Sequence, residues 1–461
     1  MTKTIFFVLL LVVQNAFSQN IYKDPGFASN GVYNVNNYAW SMAQDTSGRI
    51  YSSYSLPNTN ESFVFRLTTQ GNLDSTFGNN GIAQLPYYTL QNQLKIQQDG
   101  KVVILGHSGT ARVTRLLSNG QLDTSFGTNG SSMVPSINNS DTDTRSFGLI
   151  LQNEKIIVHG ISSYTQHRIC RFNADGSIDM TFGNYGSLIT RGAFPLGTFV
   201  LLDQQNNITC LTGTGSTGGI YNGIIEKYNS NGQPITSFGN NGILELPYNL
   251  WHVGDAIIDS NNKIVYSNEH LEIFRLNSDG TPDNTFNYDL STYSGLNGGA
   301  WIQSIVEKNG NYYIGGNGEG DFASTYFISK LNQNGSVNST FGYYSESSNL
   351  LSIKEMVVNP NNIIVKGSGH IVKYIANNGL LSTTEIPKVN PAISFENPVK
   401  QNLIYQSKER VLKIEISAAD GKLVKTIKDS GSLLSDLPKG LYIAKVTFEN
   451  GSITIKKLIK N

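Results

Sequence analysis

The sequence predicts an all-β protein: a seven-bladed β-propeller followed by a small C-terminal immunoglobulin-like β-sandwich. Three observations carry that reading. First, the unit at residues 115–130 recurs at 66–81, 171–186 and 227–242, with weaker copies at 275–286 and 330–342. In all six a Gly precedes a Phe by six positions, as in Gly71 and Phe77 or Gly120 and Phe126. Copies lie about 50 residues apart, a period of propellers and solenoids rather than of single-core globules. Second, the tail of this unit stands without its head at residues 24–31, and the head stands without its tail at 373–379. Third, from about Pro387 the repeat stops and short alternating strands replace it.

Taken in order, residues 1–18 read as a secretory signal. Lys3 gives a basic start, residues 5–13 are apolar, and Ala16-Phe17-Ser18 places cleavage before Gln19. That run is too short to span a bilayer, and no other stretch approaches the roughly 18 apolar residues a transmembrane helix needs. The mature chain is therefore expected to be soluble and exported. Formal net charge is zero with 15% charged residues, which leaves no basic excess for phosphates and excludes nucleic acid as an expected partner.

Residues 19–383 are assigned to the propeller. A polar turn followed by a β-branched or aromatic run recurs seven times, from Gly48-Arg49-Ile50-Tyr51 to Asn362-Ile363-Ile364-Val365; these are central strands entered through tight turns. Each is followed by an apolar strand ending in a basic residue: Arg66, Arg115, Arg171, Lys227, Arg275, Lys330 and Lys373. Unpaired strand edges invite association, and a closed ring protects them. The orphan tail at 24–31 is therefore expected to complete the blade whose head ends at Lys373.

Where the basic residue is Arg66, Arg115, Arg171 or Arg275, an Asp stands eight positions later. Lys227 and Lys330 are followed instead by Ile235 and Asn338. The guanidinium fork matches a carboxylate and the ammonium does not. Two readings stand: an Arg–Asp bridge across the turn, or an Asp that caps its own turn. Either is structural, since a catalytic pair need not recur in four blades. Cys170 and Cys210 sit in strand-like runs and read as buried thiols or as a disulfide of an exported protein.

A linker at 384–395 precedes a domain at 396–461. From Lys388 onward 13 Lys and Arg face 7 Asp and Glu. Period-2 runs such as Val411-Leu412-Lys413-Ile414-Glu415-Ile416, separated by Gly and Asn turns, indicate a sandwich.

The pattern Arg-Leu-x-x-x-Gly-x-Leu-Asp-x-x-Phe-Gly-x-x-Gly resembles the delta-60 repeat of secreted bacterial propellers, most specifically in the copies at Arg66, Arg115 and Arg171. That resemblance implies a propeller and no common catalytic residue. The copies at Arg275 and Lys330 depart from it after Phe286 and Phe341, so their blades are expected to be the most irregular. The last residues resemble the type IX secretion system C-terminal sorting domain, through Asn397-Pro398-Val399, Asp420-Gly421-Lys422, Leu437-Pro438-Lys439-Gly440-Leu441-Tyr442 and Lys456-Lys457-Leu458-Ile459-Lys460. The resemblance implies passage through the periplasm and across the outer membrane, release or attachment at the cell surface, and the secretion machinery as partner.

No chemistry-bearing motif stands out. The six His form no metal or catalytic spacing, no phosphate-cradling or nucleophile motif occurs, and no cofactor or metal is expected. The signal lies instead where the blades differ, in the segments leading from each repeat turn to the next central strand. They carry Trp40, Tyr87, Tyr88, Tyr248, Trp251, His252, Tyr293 and Trp301. Such aromatics either stack on sugars and anchor partners or fill the gaps between sheets. The leading reading is a non-catalytic propeller binding an extracellular glycan or protein through this face. The alternative is a secreted polysaccharide-active hydrolase or lyase.

Overall fold

The structure is a computed structural model. It describes residues 21–461 except 36–38, 109, 136–147, 163–165, 192–197, 214–221, 250–252, 269–270, 290–300, 319–324, 348–352, 368, 377–392, 419–421 and 450–452. The chain divides into two compact units, Met1–Gly379 and Leu380–Asn461.

The described residues of the first unit form seven antiparallel sheets in sequence order. The first consists of Ala39–Gln44, Ile50–Leu56, Glu61–Leu67 and Ile82–Gln84. The second is Leu90–Ile96, Val102–Ser108, Thr110–Leu116 and Ser131–Met133. The third is Gly148–Gln152, Lys155–Ser162, Gln166–Phe172 and Ser187–Ile189. Two more of this plan are the fourth, from Phe199 to Asn249, and the sixth, from Trp301 to Ser347. The fifth has three strands among the described residues: Val253–Ile258, Ile264–Asn268 and Ile273–Leu276. It is the blade whose repeat lacks the Gly after Phe286; the sixth sheet, whose repeat at Lys330 was expected to be equally irregular, has the regular four-stranded plan. The seventh joins Glu355–Val358, Asn362–Lys366 and His370–Ala376 to Ile21–Lys23 and Val32–Asn34 from the other end of the chain.

Second strands are buried on both faces because each sheet is sandwiched between two others. Ile264–Asn268 is buried at every position, hence the unbroken β-branched and aromatic runs. Seven apolar clusters fill the interfaces between consecutive sheets, and one of them (Phe27, Met42, Ile50, Phe65, Ile364 and Ile371) joins the seventh sheet to the first. The circle is closed. Cys170 and Cys210 are free, buried thiols within two of these interfaces.

The repeat is the device that joins sheet to sheet. Arg66 Nε donates to Asp74 Oδ2 at 2.8 Å, and the same bond joins Arg115 to Asp123, Arg171 to Asp179 and Arg275 to Asp283 at 2.7–2.8 Å. The other carboxylate oxygen caps the turn: Asp74 Oδ1 accepts from the Thr76 backbone N–H at 3.1 Å and hydroxyl at 2.7 Å. Bridge and cap are thus the two oxygens of one side chain. The guanidinium lies on the repeat Phe, 4.5 Å from its ring centre for Arg115 over Phe126. It also reaches into the next sheet, where Arg66 Nη1 donates to the Ser118 carbonyl at 2.7 Å. Arg115, Arg171 and Arg275 do the same to Ala174, Ser230 and Gln333. Lys227 and Lys373 keep this bond, to Ser278 at 3.1 Å and Thr69 at 3.2 Å.

The repeat Gly is explained by the same joint. Gly120 has φ +86°, and a Cβ there would lie 2.6 Å from the Gly78 backbone nitrogen and 3.1 Å from the Phe77 ring. No side chain fits where one turn seats on the Phe of the preceding blade. The orphan tail repeats the joint across the chain ends. Asp24 Oδ2 pairs with Lys373 Nζ at 3.0 Å, and the Ala28 N–H donates to the Gln70 carbonyl at 2.7 Å.

The second unit contains a four-stranded sheet ordered Leu423–Ile427, Val411–Ala418, Gly440–Phe448 and Ile453–Lys460. Two short strand pairs cover it, Ile393–Phe395 with Tyr405–Ser407 and Asn402–Leu403 with Ser432–Leu433. The strand at Ile393 lies inside the stretch expected as linker. Gly440–Phe448 alternates strictly, with Tyr442, Ala444 and Val446 turned into a core containing Ile393, Val399 and Leu458.

Candidate functional site

The predicted aromatics divide between described and undescribed positions. Tyr87 is 40% exposed, and the Arg112 guanidinium lies over its ring at 3.9 Å from the centre. The guanidinium, carried by Thr110–Leu116 of the second sheet, holds the ring at the surface by cation–π attraction. Tyr88 is half-buried beside it. Trp301 opens the first strand of the sixth sheet and is half-buried. Trp40 and Tyr248 lie on strands of the first and fourth sheets, and their side chains fall outside the described part of the structure. Trp251, His252 and Tyr293 lie outside the described residues. Tyr87, Tyr88 and Trp301 are therefore the described members of the predicted set.

A cleft of about 1370 Å³ opens over the turns joining first and second strands of the second, third and fourth sheets. Among the described residues its lining has Ala174 as its one aliphatic side chain. Both of its lysines are paired: Lys101 with Asp99 at 2.9 Å and Lys155 with Asp179 at 2.5 Å. Burial alone would raise the Asp179 carboxyl. Bonds from Lys155, Thr181 and Arg171 outweigh that and hold it far below the usual carboxylate range. An apolar cleft of about 460 Å³ lies where the fifth sheet has three strands, between Leu244 and Leu246 on one side and Phe274, Leu276 and Phe286 on the other.

Three carboxylates are engaged inside the sheets. Asp255, on the first strand of the fifth sheet, accepts from the Ala256 N–H at 2.8 Å and the Ile305 N–H of the sixth at 2.6 Å. Burial pushes its carboxyl up to about 7. Glu355 serves alike from the seventh sheet, accepting from the Met42 N–H of the first at 2.5 Å. Glu226, raised by burial, accepts from the Tyr228 hydroxyl at 2.8 Å and from the Arg191 backbone. No sequence signal marked these groups, since each acts on a distant backbone N–H or on a buried tyrosine.

A buried histidine pair in the third sheet yields an expected pH dependence. His159 Nδ1 and His167 Nε2 lie 3.1 Å apart, and His167 Nδ1 lies 3.2 Å from the Thr190 hydroxyl. Burial lowers His159 to about 3, and burial with the neighbouring His159 lowers His167 well below its ordinary value. Both are neutral when folded, while the unfolded chain protonates them near pH 6.5. Stability is therefore full above pH 6.5 and falls as pH drops below it. At pH 5 the loss for His159 alone is on the order of 2 kcal/mol. Melting curves at pH 7.5 and 5 should show this loss, and it should shrink in His159→Leu/His167→Leu; an equal loss in that variant refutes the assignment.

In the second unit the resemblance residues explain one another. The Asn397 side chain donates to the Lys457 carbonyl at 3.1 Å and accepts from the Ile459 N–H at 2.9 Å. The Asn-Pro-Val stretch thus pins the final Lys-Lys-Leu-Ile-Lys strand. Tyr442 is buried with its hydroxyl on the Pro438 carbonyl at 2.8 Å, so the Pro-Lys-Gly-Leu-Tyr turn closes on itself. Lys456 is half-buried and Lys457 exposed, Lys439 and Gly440 are exposed in the turn, and Gly421 lies outside the described residues.

Residues 395–461 match the family described as the secretion system C-terminal sorting domain. Residues 97–126, 152–182 and 262–286 match a β-propeller domain of unknown function, DUF5122. The protein is a β-propeller with a type IX sorting domain. The sorting domain directs export across the outer membrane to the cell surface or beyond, and implies interaction with the type IX machinery. Among the described residues no helix is long and apolar enough to cross a membrane. No curated protein matches the chain. It is similar to the computationally designed Ika8 protein at 9% identity, covering 74% of this chain and 97% of that one, with TM-score 0.43. It is also similar to the extracellular domain of a hybrid two-component system from B. thetaiotaomicron, at 11% identity, covering 96% and 59%, with TM-score 0.40. BamB from Moraxella catarrhalis gives 10% identity, 78% and 95% coverage, and TM-score 0.37.

Proposed function

We propose that this exported propeller is a non-catalytic binding protein that presents the loop face carrying Tyr87, Tyr88 and Trp301 to an extracellular glycan or protein. The observation that carries the reading is Tyr87, a large aromatic held exposed by the stacked Arg112 guanidinium. Tyr and Arg are the side chains that most often dominate binding surfaces. The displaced carboxylates and histidines support it from the other side. Asp255 and Glu226 are occupied by N–H or O–H donors of their own sheets or their neighbours, whereas catalytic groups converge on one cleft. Glycan-array binding of the mature chain, followed by an activity screen on each hit, tests the reading. Tyr87→Ala should weaken a genuine hit about tenfold or more while leaving the melting temperature in place. Turnover of a bound polysaccharide would replace this reading by that of a hydrolase or lyase.

A further inference from the structure

The five repeat turns with the form Phe-x-x-x-Gly hold the residue before that Gly in the left-handed region, at φ +51° for Asn30, +50° for Asn80, +51° for Asn129, +52° for Tyr185 and +52° for Asn241. Asn tolerates that conformation because its short amide bonds locally. A bulky aromatic does not, and such positions cost about 1–3 kcal/mol and cluster at ligand clamps. In the third sheet alone the chain places a Tyr there, and its side chain is 78% exposed. Nothing in the packing requires it, since four sister turns form with Asn.

Tyr185 stands on a cleft of about 640 Å³ at the outer edge of the third sheet, bounded on the far side by Gly232 and Gln233 of the fourth. Among the described lining residues Arg168 is the one charged side chain, and no carboxylate faces it. Its Nη1 donates to the Ser187 hydroxyl at 2.9 Å, while its Nε is buried with no hydrogen-bond partner. That nitrogen is costly to leave unsatisfied, and the half-buried guanidinium brings to the cleft a positive charge that no described lining carboxylate neutralises. The amides of Asn184 and Gln233 border the same space.

We propose that this cleft is a binding site for an acidic polysaccharide, with a sugar ring stacked on Tyr185 and a uronate carboxylate received by Arg168. The aromatic face suits a pyranose ring, the amides suit its hydroxyls, and the single unbalanced guanidinium selects an anion. The site shares no residue with the loop face of Tyr87 and Trp301, so the two stand or fall separately. Affinity electrophoresis of the full mature chain in gels containing polygalacturonate, with dextran as the uncharged control, tests it. The wild type should be retarded by polygalacturonate and not by dextran. Tyr185→Asn, which installs the residue of the sister turns, should weaken binding about tenfold or more with a melting temperature equal to or above the wild type's. Arg168→Gln should weaken it similarly. Absence of retardation by polygalacturonate, equal retardation of Tyr185→Asn, or equal retardation by dextran overturns the proposal.

Discussion

Replacing Arg66 by Met is expected to cost about 3–5 kcal/mol, the range for breaking a buried ion pair from one side. Arg66 is 2% exposed and is satisfied by Asp74, Tyr51, Thr76 and the Ser118 carbonyl of the next sheet. Removing it strands the Asp74 carboxylate and frees a joint between two sheets at once. Arg66→Lys should cost less, because Lys227 and Lys373 keep the bond to the next sheet without the fork. The expected order of urea midpoints is therefore wild type, then Lys, then Met. A Met variant whose midpoint stays within experimental error would show that the joint contributes nothing to stability. Asp74→Asn should fall between, since an amide oxygen can still cap the turn while the charge is lost.

That joint shows what the sequence could and could not reveal. The Arg–Asp pair was legible because both partners lie within one repeat and vary together in six of the seven blades: Ile235 and Asn338 stand where Lys227 and Lys330 replace Arg, while Lys373 keeps Asp24. The bond from Arg66 to Ser118 was not, since it joins residues 52 positions apart and a backbone carbonyl leaves no trace in residue identity. First strands such as Leu90–Ile96 and Gly148–Gln152 were also hidden. They line the inside of the circle, follow no tight turn, and carry Gln93 and Gln152 among their apolar residues. Tyr185 left a readable mark, as a bulky side chain where sister repeats have Asn, but reading it requires knowing that the position has positive φ. The rim aromatics were visible as residues and not as a site, because they lie in segments that differ from blade to blade.

Deleting residues 19–34 is expected to have a larger effect than any single substitution in the Arg–Asp joint. The deletion removes both strands on the outer side of His370–Ala376, leaving only its pairing with Asn362–Lys366 and an open outer edge. It also removes Phe27, fully buried between the seventh and first sheets, and Ile21, 2% exposed. The loss of Phe27 alone is worth about 3–5 kcal/mol, and native stabilities are only about 5–15 kcal/mol. The truncated chain should therefore lose its cooperative melt, and its open edge should drive association. Phe27→Ala isolates the packing part and should retain a monomer with a lowered midpoint. Adding the peptide of residues 19–34 in excess should recover part of the lost transition, since the missing strands pair by backbone bonds that a free peptide can also make. A truncated chain that stays monomeric and melts with the wild type would show that the circle does not depend on these strands.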